Sequence, residues 1–161
     1  MNIQLDLIVP PIIVGILILL LFNVYSGMMD SQVSSRIYYD LQGKANSTLI
    51  VLQEEFREIH EIKVLGTNEI RYISTTRDSV HIYLEDMDLV VKKYRINTPL
   101  IDTVMYPLQL EVLSFSTIDT LPGVIRVNVG TASRPEHEVG NKPDRFRAFA
   151  QKDIFLMNLN P

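Results

Sequence analysis

Leu7 to Phe22 reads LIVPPIIVGILILLLF, a run without one polar side chain. Carried on through Asn23 and Val24 to Tyr25, it has about the length that crosses a hydrocarbon layer roughly 30 Å thick. From Met1 to Met29 the only charged side chain is Asp6. A secretory signal peptide would lead with Lys or Arg and end at a small-residue cleavage site; no basic residue precedes this run, and Ser26-Gly27 is a poor site. A buried core helix would have to be surrounded on every side, which a chain of 161 residues can hardly do. Residues 1–25 therefore read as a retained transmembrane helix in contact with membrane lipid, with Pro10, Pro11, Gly15 and Leu19 inside the apolar run.

The two prolines stand near the start, where missing backbone donors cost least. They either open the regular helix or separate it from a short extended lead-in. Asp6 has two readings. It is a solvated end residue, favourable at a helix N-terminus, or an intramembrane carboxylate that needs a cationic partner such as a neighbouring chain's terminal amine.

Beyond Tyr25 the apolar residues fall on Met29, Val33, Ile37, Leu41, Ala45, Leu49, Leu52, Phe56 and Ile59. Steps of four with an occasional three mark one face of an α-helix. No proline occurs between Pro11 and Pro99, while Gly27 and Gly43 each weaken the helix by about 1 kcal/mol relative to alanine. The spacing predicts an amphipathic stem helix over 26–65 whose stripe needs a partner. From Glu69 the period becomes two. Ile70 and Tyr72, then Val80, Ile82 and Leu84, then Leu89 and Val91 alternate with polar residues, and Glu85-Asp86-Met87-Asp88 reads as a hairpin turn. Leu108 to Val112, Ile125 to Val129 and a mixed run from Arg145 to Leu159 follow. Residues 66–161 thus read as an antiparallel sheet of five or six strands with one wet face, the other covered by the stem stripe. Gly130 to Asp144 reads as an exposed loop. The fold class is α+β.

The remaining chemistry excludes more than it suggests. A net charge of −4 and a pI near 5.3 argue against nucleic-acid binding. With no cysteine there is no disulfide, thiolate metal site or cysteine nucleophile. His60-Glu61 begins like a zinc-protease helix, but Val64 stands where the second histidine would be. Asp86 and Asp88 fit neither the spacing nor the glycine of a calcium loop. Asn46-Ser47-Thr48 matches a glycosylation acceptor but falls in mid-helix. No phosphate loop or nucleophile elbow occurs. No catalytic residue, metal, cofactor or small-molecule substrate is expected.

An apolar N-terminal helix that continues into an amphipathic stem and meets an antiparallel sheet resembles type IV pilins, and more narrowly the minor pseudopilins of type II secretion systems and the minor pilins. His81-Ile82-Tyr83-Leu84 with Lys92 and Lys93 after the turn is similar to their paired strands, as is Leu110 to Phe115 with Ile125 to Val129. Phe155-Leu156-Met157-Asn158-Leu159 resembles their closing strand. The family keeps an acidic residue near its mature N-terminus, where Asp6 stands here in place of glutamate. The proline pair comes earlier than the single helix proline usual there. A basic, glycine-ending leader is missing, so the resemblance implies a processed chain or another route of synthesis. It further implies a non-enzymatic subunit of a filament or its tip. Such a subunit packs against other pilin-like subunits through the membrane helix and through Met29, Val33, Ile37, Leu41, Leu49, Leu52 and Phe56, with Asp6 as the assembly carboxylate. It also implies an extracytoplasmic soluble part, whereas Arg36 and Lys44, the first basic residues after the span, favour the cytoplasm by the positive-inside rule. The alternative is a single-pass accessory or binding module of another envelope complex.

Overall fold

The computed structural model describes residues 3–95, 101–118, 120–121, 123–133 and 146–159, with helix side chains from residue 10 onward. One helix, α1 (Ile3–Phe56), opens the chain. Eight strands follow among the described residues: β1 (Ile59–Leu65), β2 (Glu69–Ser74), β3 (Ser79–Glu85), β4 (Asp88–Tyr94), β5 (Ile101–Tyr106), β6 (Leu110–Thr117), β7 (Val124–Ala132) and β8 (Arg147–Phe155). The chain divides into two compact units, Met1–Arg36 and Ile37–Pro161. The first consists of the helix alone. The second holds the last turns of α1 and all the strands.

Pro10 and Pro11 lie inside α1, which begins upstream at Ile3. They neither open the helix nor cut off an extended lead-in. Each removes one N–H from the ladder, facing the carbonyls of Asp6 and Leu7.

The helix also stops earlier than its stripe predicts. The stem expected to reach residue 65 ends at Phe56, and Ile59–Leu65 is a strand. The local reason is charge and geometry together. Glu54, Glu55 and Glu58 crowd a helix C-terminus that has no basic residue in its last turn, where carboxylates are unfavourable. Arg57 N bonds back to Glu54 O at 3.2 Å and Glu58 N to Glu55 O at 3.3 Å, tightening the end into a 3₁₀ turn. Asn158 Nδ2 then donates to the freed carbonyl of Arg57 at 2.7 Å, and Thr75 N to that of Glu58 at 2.8 Å. The β-branched residues Ile59, Ile62 and Val64 go on to pair with β2.

The strands form two antiparallel meanders rather than one sheet: β1-β2-β3-β4-β5 and β6-β7-β8. The break falls at Pro107-Leu108-Gln109, where Gln109 takes φ 54° and the chain leaves the first sheet. Strands β1 and β5, which the alternation did not single out, are the edges of that sheet. The closing strand ends at Phe155, so Leu156 to Leu159 lie beyond it. The turn at Glu85–Asp88 is a two-residue hairpin, with φ 47° at Asp86 and 71° at Met87 and Glu85 paired to Asp88. Positive φ at both central residues is what a type I′ turn requires.

Both sheets and the helix share one core. Leu49, Leu52 and Phe56 from α1, Ile70, Tyr72, Val80, Ile82 and Val91 from the first sheet, and Leu113, Phe115, Val127 and Ile154 from the second are buried together. Phe56 stands at their junction. Its ring lies 6.3 Å from Tyr72 at 83° and 5.9 Å from Phe115 at 50°, edge-on or tilted to both. Burying each large apolar side chain contributes about 1.5–3 kcal/mol. The stripe from Leu41 to Phe56 is therefore an internal packing surface.

Candidate functional site

The stem face proposed from spacing divides at about Ile37. Leu41, Leu49, Leu52 and Phe56 are buried against the chain's own sheets, and Ile37 is half-buried. Met29 and Val33 are exposed, Val33 at 38%. The sequence did not place this division, because apolar residues recur at helical spacing on both sides of it.

From Pro10 to Val33 every side chain is exposed. Ile12, Val14, Ile16 and Leu19 on successive faces are all more than half accessible, Leu19 at 65%. A methyl at Gly15 would meet open space. The helix is long and apolar enough to cross a membrane. A soluble core helix of this composition would be buried, and this one is not. Asp6 lies on the helix, but its side chain falls outside the described residues. Further along α1, Tyr38 and Tyr39 stand exposed with their rings 6.1 Å apart.

Polar contacts fix the last turns of α1 to the strands. Thr131 Oγ1 donates to Leu41 O at 3.0 Å, Lys44 Nζ to Gln109 Oε1 at 2.9 Å, and Lys152 Nζ to Gln53 Oε1 at 2.6 Å. Glu55 binds Lys93 at 2.9 Å and accepts from the buried Tyr72 hydroxyl at 3.4 Å. Burial and the adjacent Glu55 push the Tyr72 phenol up. These groups hold structure together, and each already has its partner.

On the solvent face of the first sheet, Glu69 Oε2 accepts from His81 Nε2 at 2.8 Å and from Arg71 Nη2 at 3.1 Å. Those two hydrogen bonds hold its carboxyl below the ordinary range. Lys92 lies 5.0 Å over the Tyr83 ring, and His81 stacks on that ring at 4.6 Å. Among the described residues no three His, Asp or Glu side chains are grouped to hold a metal. His60 is on strand β1, with Nδ1 3.3 Å from Asn158 O, and takes no part in a helical zinc motif.

A small open groove of ≈ 170 Å³ lies beside the end of α1, between Arg57 and the last residues of β8. Phe155 and Met157 border it and are exposed at 66% and 84%, while Ile154 and Leu156, which alternate with them, are buried. The alternation was visible in the sequence. Which parity faces outward was not.

No protein-family model, curated protein or solved structure matches this chain.

Proposed function

We propose that the chain is a non-enzymatic, membrane-anchored structural subunit, pilin- or pseudopilin-like, that assembles through its N-terminal helix into a filament or filament-tip complex of a secretion or pilus system. One observation carries this reading: α1 is exposed on every face from Pro10 to Val33, and only from Leu41 onward is one face of it buried against the chain's own strands. An all-round apolar helix that its own chain leaves uncovered needs lipid or other helices around it. In lipid, close packing of like helices supplies the association, and Gly15 leaves room for near approach. Asp6 pairs with a neighbouring terminal amine in the assembled state, because an unpaired carboxylate there is costly. The soluble unit lies on the extracytoplasmic side.

The chain has no native thiol, so single cysteines at Ile16, Val33 and Leu49 test the reading by crosslinking in native membranes. Ladders at Ile16 and Val33, and none at the buried Leu49, are expected. A second reading, a single-pass binding module of another envelope complex, draws on the self-covered stripe from Leu41 to Phe56, which leaves less helix for partners. Monomers at Ile16 and Val33 would favour it. For the orientation, a membrane-impermeant thiol reagent should label Tyr39→Cys in intact cells, and protection until lysis would reverse the assignment.

A further inference from the structure

The geometry points to a head-to-tail contact between copies of this chain, in which the acidic β3–β4 hairpin tip of one copy sits in the Arg57–Lys152 groove of the next. Both surfaces belong to the unit Ile37–Pro161, and its hydrogen bonds place them at opposite ends. The tip is tied to the start of β6, since Leu110 N donates to Met87 O at 2.7 Å. Helix residues Leu41 and Lys44 are at this same end, through Thr131 and Gln109. The groove lies at the far end, where β8 finishes beside the helix terminus: Leu156 N donates to Gly123 O at 2.8 Å and Asn158 Nδ2 to Arg57 O at 2.7 Å. Strand β6, eight residues long, spans the interval, about 25 Å.

The two ends are chemically complementary. At the tip, Glu85 and Asp86 are exposed, and a rigid two-residue turn presents them. At the groove, Arg57 and Lys152 flank Phe155 and Met157. Arg57 bonds Glu54 and Lys152 bonds Gln53, which leaves each cation further donors. Asp153 also lines the groove, but Arg126 holds it by two bonds of 2.8 and 2.9 Å. The clasp on both sides of Met157 fixes the tail, so the exposed Phe155 and Met157 are preorganised and lose little freedom on contact.

Different patches at opposite ends of one body make a heterologous contact, which propagates instead of closing into a pair. A contact of this size is weak alone; it joins copies offset along the helix by about 25 Å, as successive subunits of a filament are, and helix packing in that filament holds them close. In that respect it rests on the anchored-subunit reading above.

The test is the full-length chain in its native membrane carrying Asp86→Cys and Met157→Cys together, under mild oxidation, with Ile16→Cys measured in parallel. The expected result is a ladder of dimers, trimers and higher species, with no crosslink from either of these two cysteines alone. Lys152→Glu on that background should remove the ladder, and adding Glu85→Lys should restore it. No ladder alongside normal Ile16 crosslinks would overturn the head-to-tail contact and leave helix-mediated assembly standing. A ladder without Ile16 crosslinks would uphold the contact and overturn helix packing. Absence of both would overturn both. Dimers from Asp86→Cys or Met157→Cys alone would mean a two-fold pairing and would also overturn the contact.

Discussion

Thr131 Oγ1 donates to the carbonyl of Leu41 at 3.0 Å, across 90 residues of sequence, with both residues buried. The same hydroxyl lies 3.3 Å from Ala148 O, so one side chain on the central strand of the second sheet ties the helix to the edge strand. A buried hydrogen bond of this kind contributes about 1 kcal/mol net. Thr131→Val keeps the shape and removes the donor. It should lower the unfolding free energy of the soluble unit by about 1 kcal/mol, read from the denaturant midpoint at unchanged slope. A midpoint identical to the parent would mean that the bond contributes nothing.

The division of the helical stripe makes a sharper contrast. Leu52 is fully buried and Met29 is exposed, although spacing alone puts them on one face. Leu52→Ala should cost about 2–5 kcal/mol through lost burial and the cavity left behind. Met29→Ala should change unfolding of the chain in detergent by less than about 0.5 kcal/mol. Equal costs at both sites would show that the chain itself covers the upper stripe as well.

The acid limb of stability should depend on Glu69. The His81 hydrogen bond, and then that of Arg71, holds its carboxyl below the ordinary 4.5. A carboxylate depressed on folding adds stability above its unfolded value and loses it as pH falls through its folded value. The parent should therefore lose stability progressively below about pH 4.5, and Glu69→Gln should show a shallower fall over that window. Asp153, held low by Arg126, leaves a residual slope in both. Thermal midpoints taken from pH 6 to about pH 3 compare the two curves, and parallel curves would dismiss the contribution.

Met87 carries a positive φ of 71° that a side chain with a Cβ resists. The left-handed region costs a non-glycine residue about 1–2 kcal/mol. Met87→Gly should stabilise the hairpin by about 1 kcal/mol once glycine's larger unfolded-state entropy is offset. Met87→Val should destabilise it, because branching at Cβ deepens the clash. A thermal shift in the opposite direction for either variant would refute the turn geometry.

The apolar run, the helical period after it and the alternation from Glu69 onward were legible because each is a local pattern with its own repeat. Leu7 to Phe22 announced a helix that needs an apolar surround, and Glu85 to Asp88 announced a hairpin, since a charged four-residue break between alternating runs has few other uses. Three things were decided only by tertiary structure. Ile59 to Leu65 carries both a helical stripe position and β-branched residues, and pairing with β2, together with the Asn158 and Thr75 contacts at the helix end, resolved that conflict towards strand. The split into two sheets depended on where the chain leaves the first sheet at Gln109, which no periodicity records. The coverage of Leu41 to Phe56 but not of Met29 and Val33 depended on which stretch of the helix the sheets pack against, a three-dimensional boundary that helical spacing by itself does not encode.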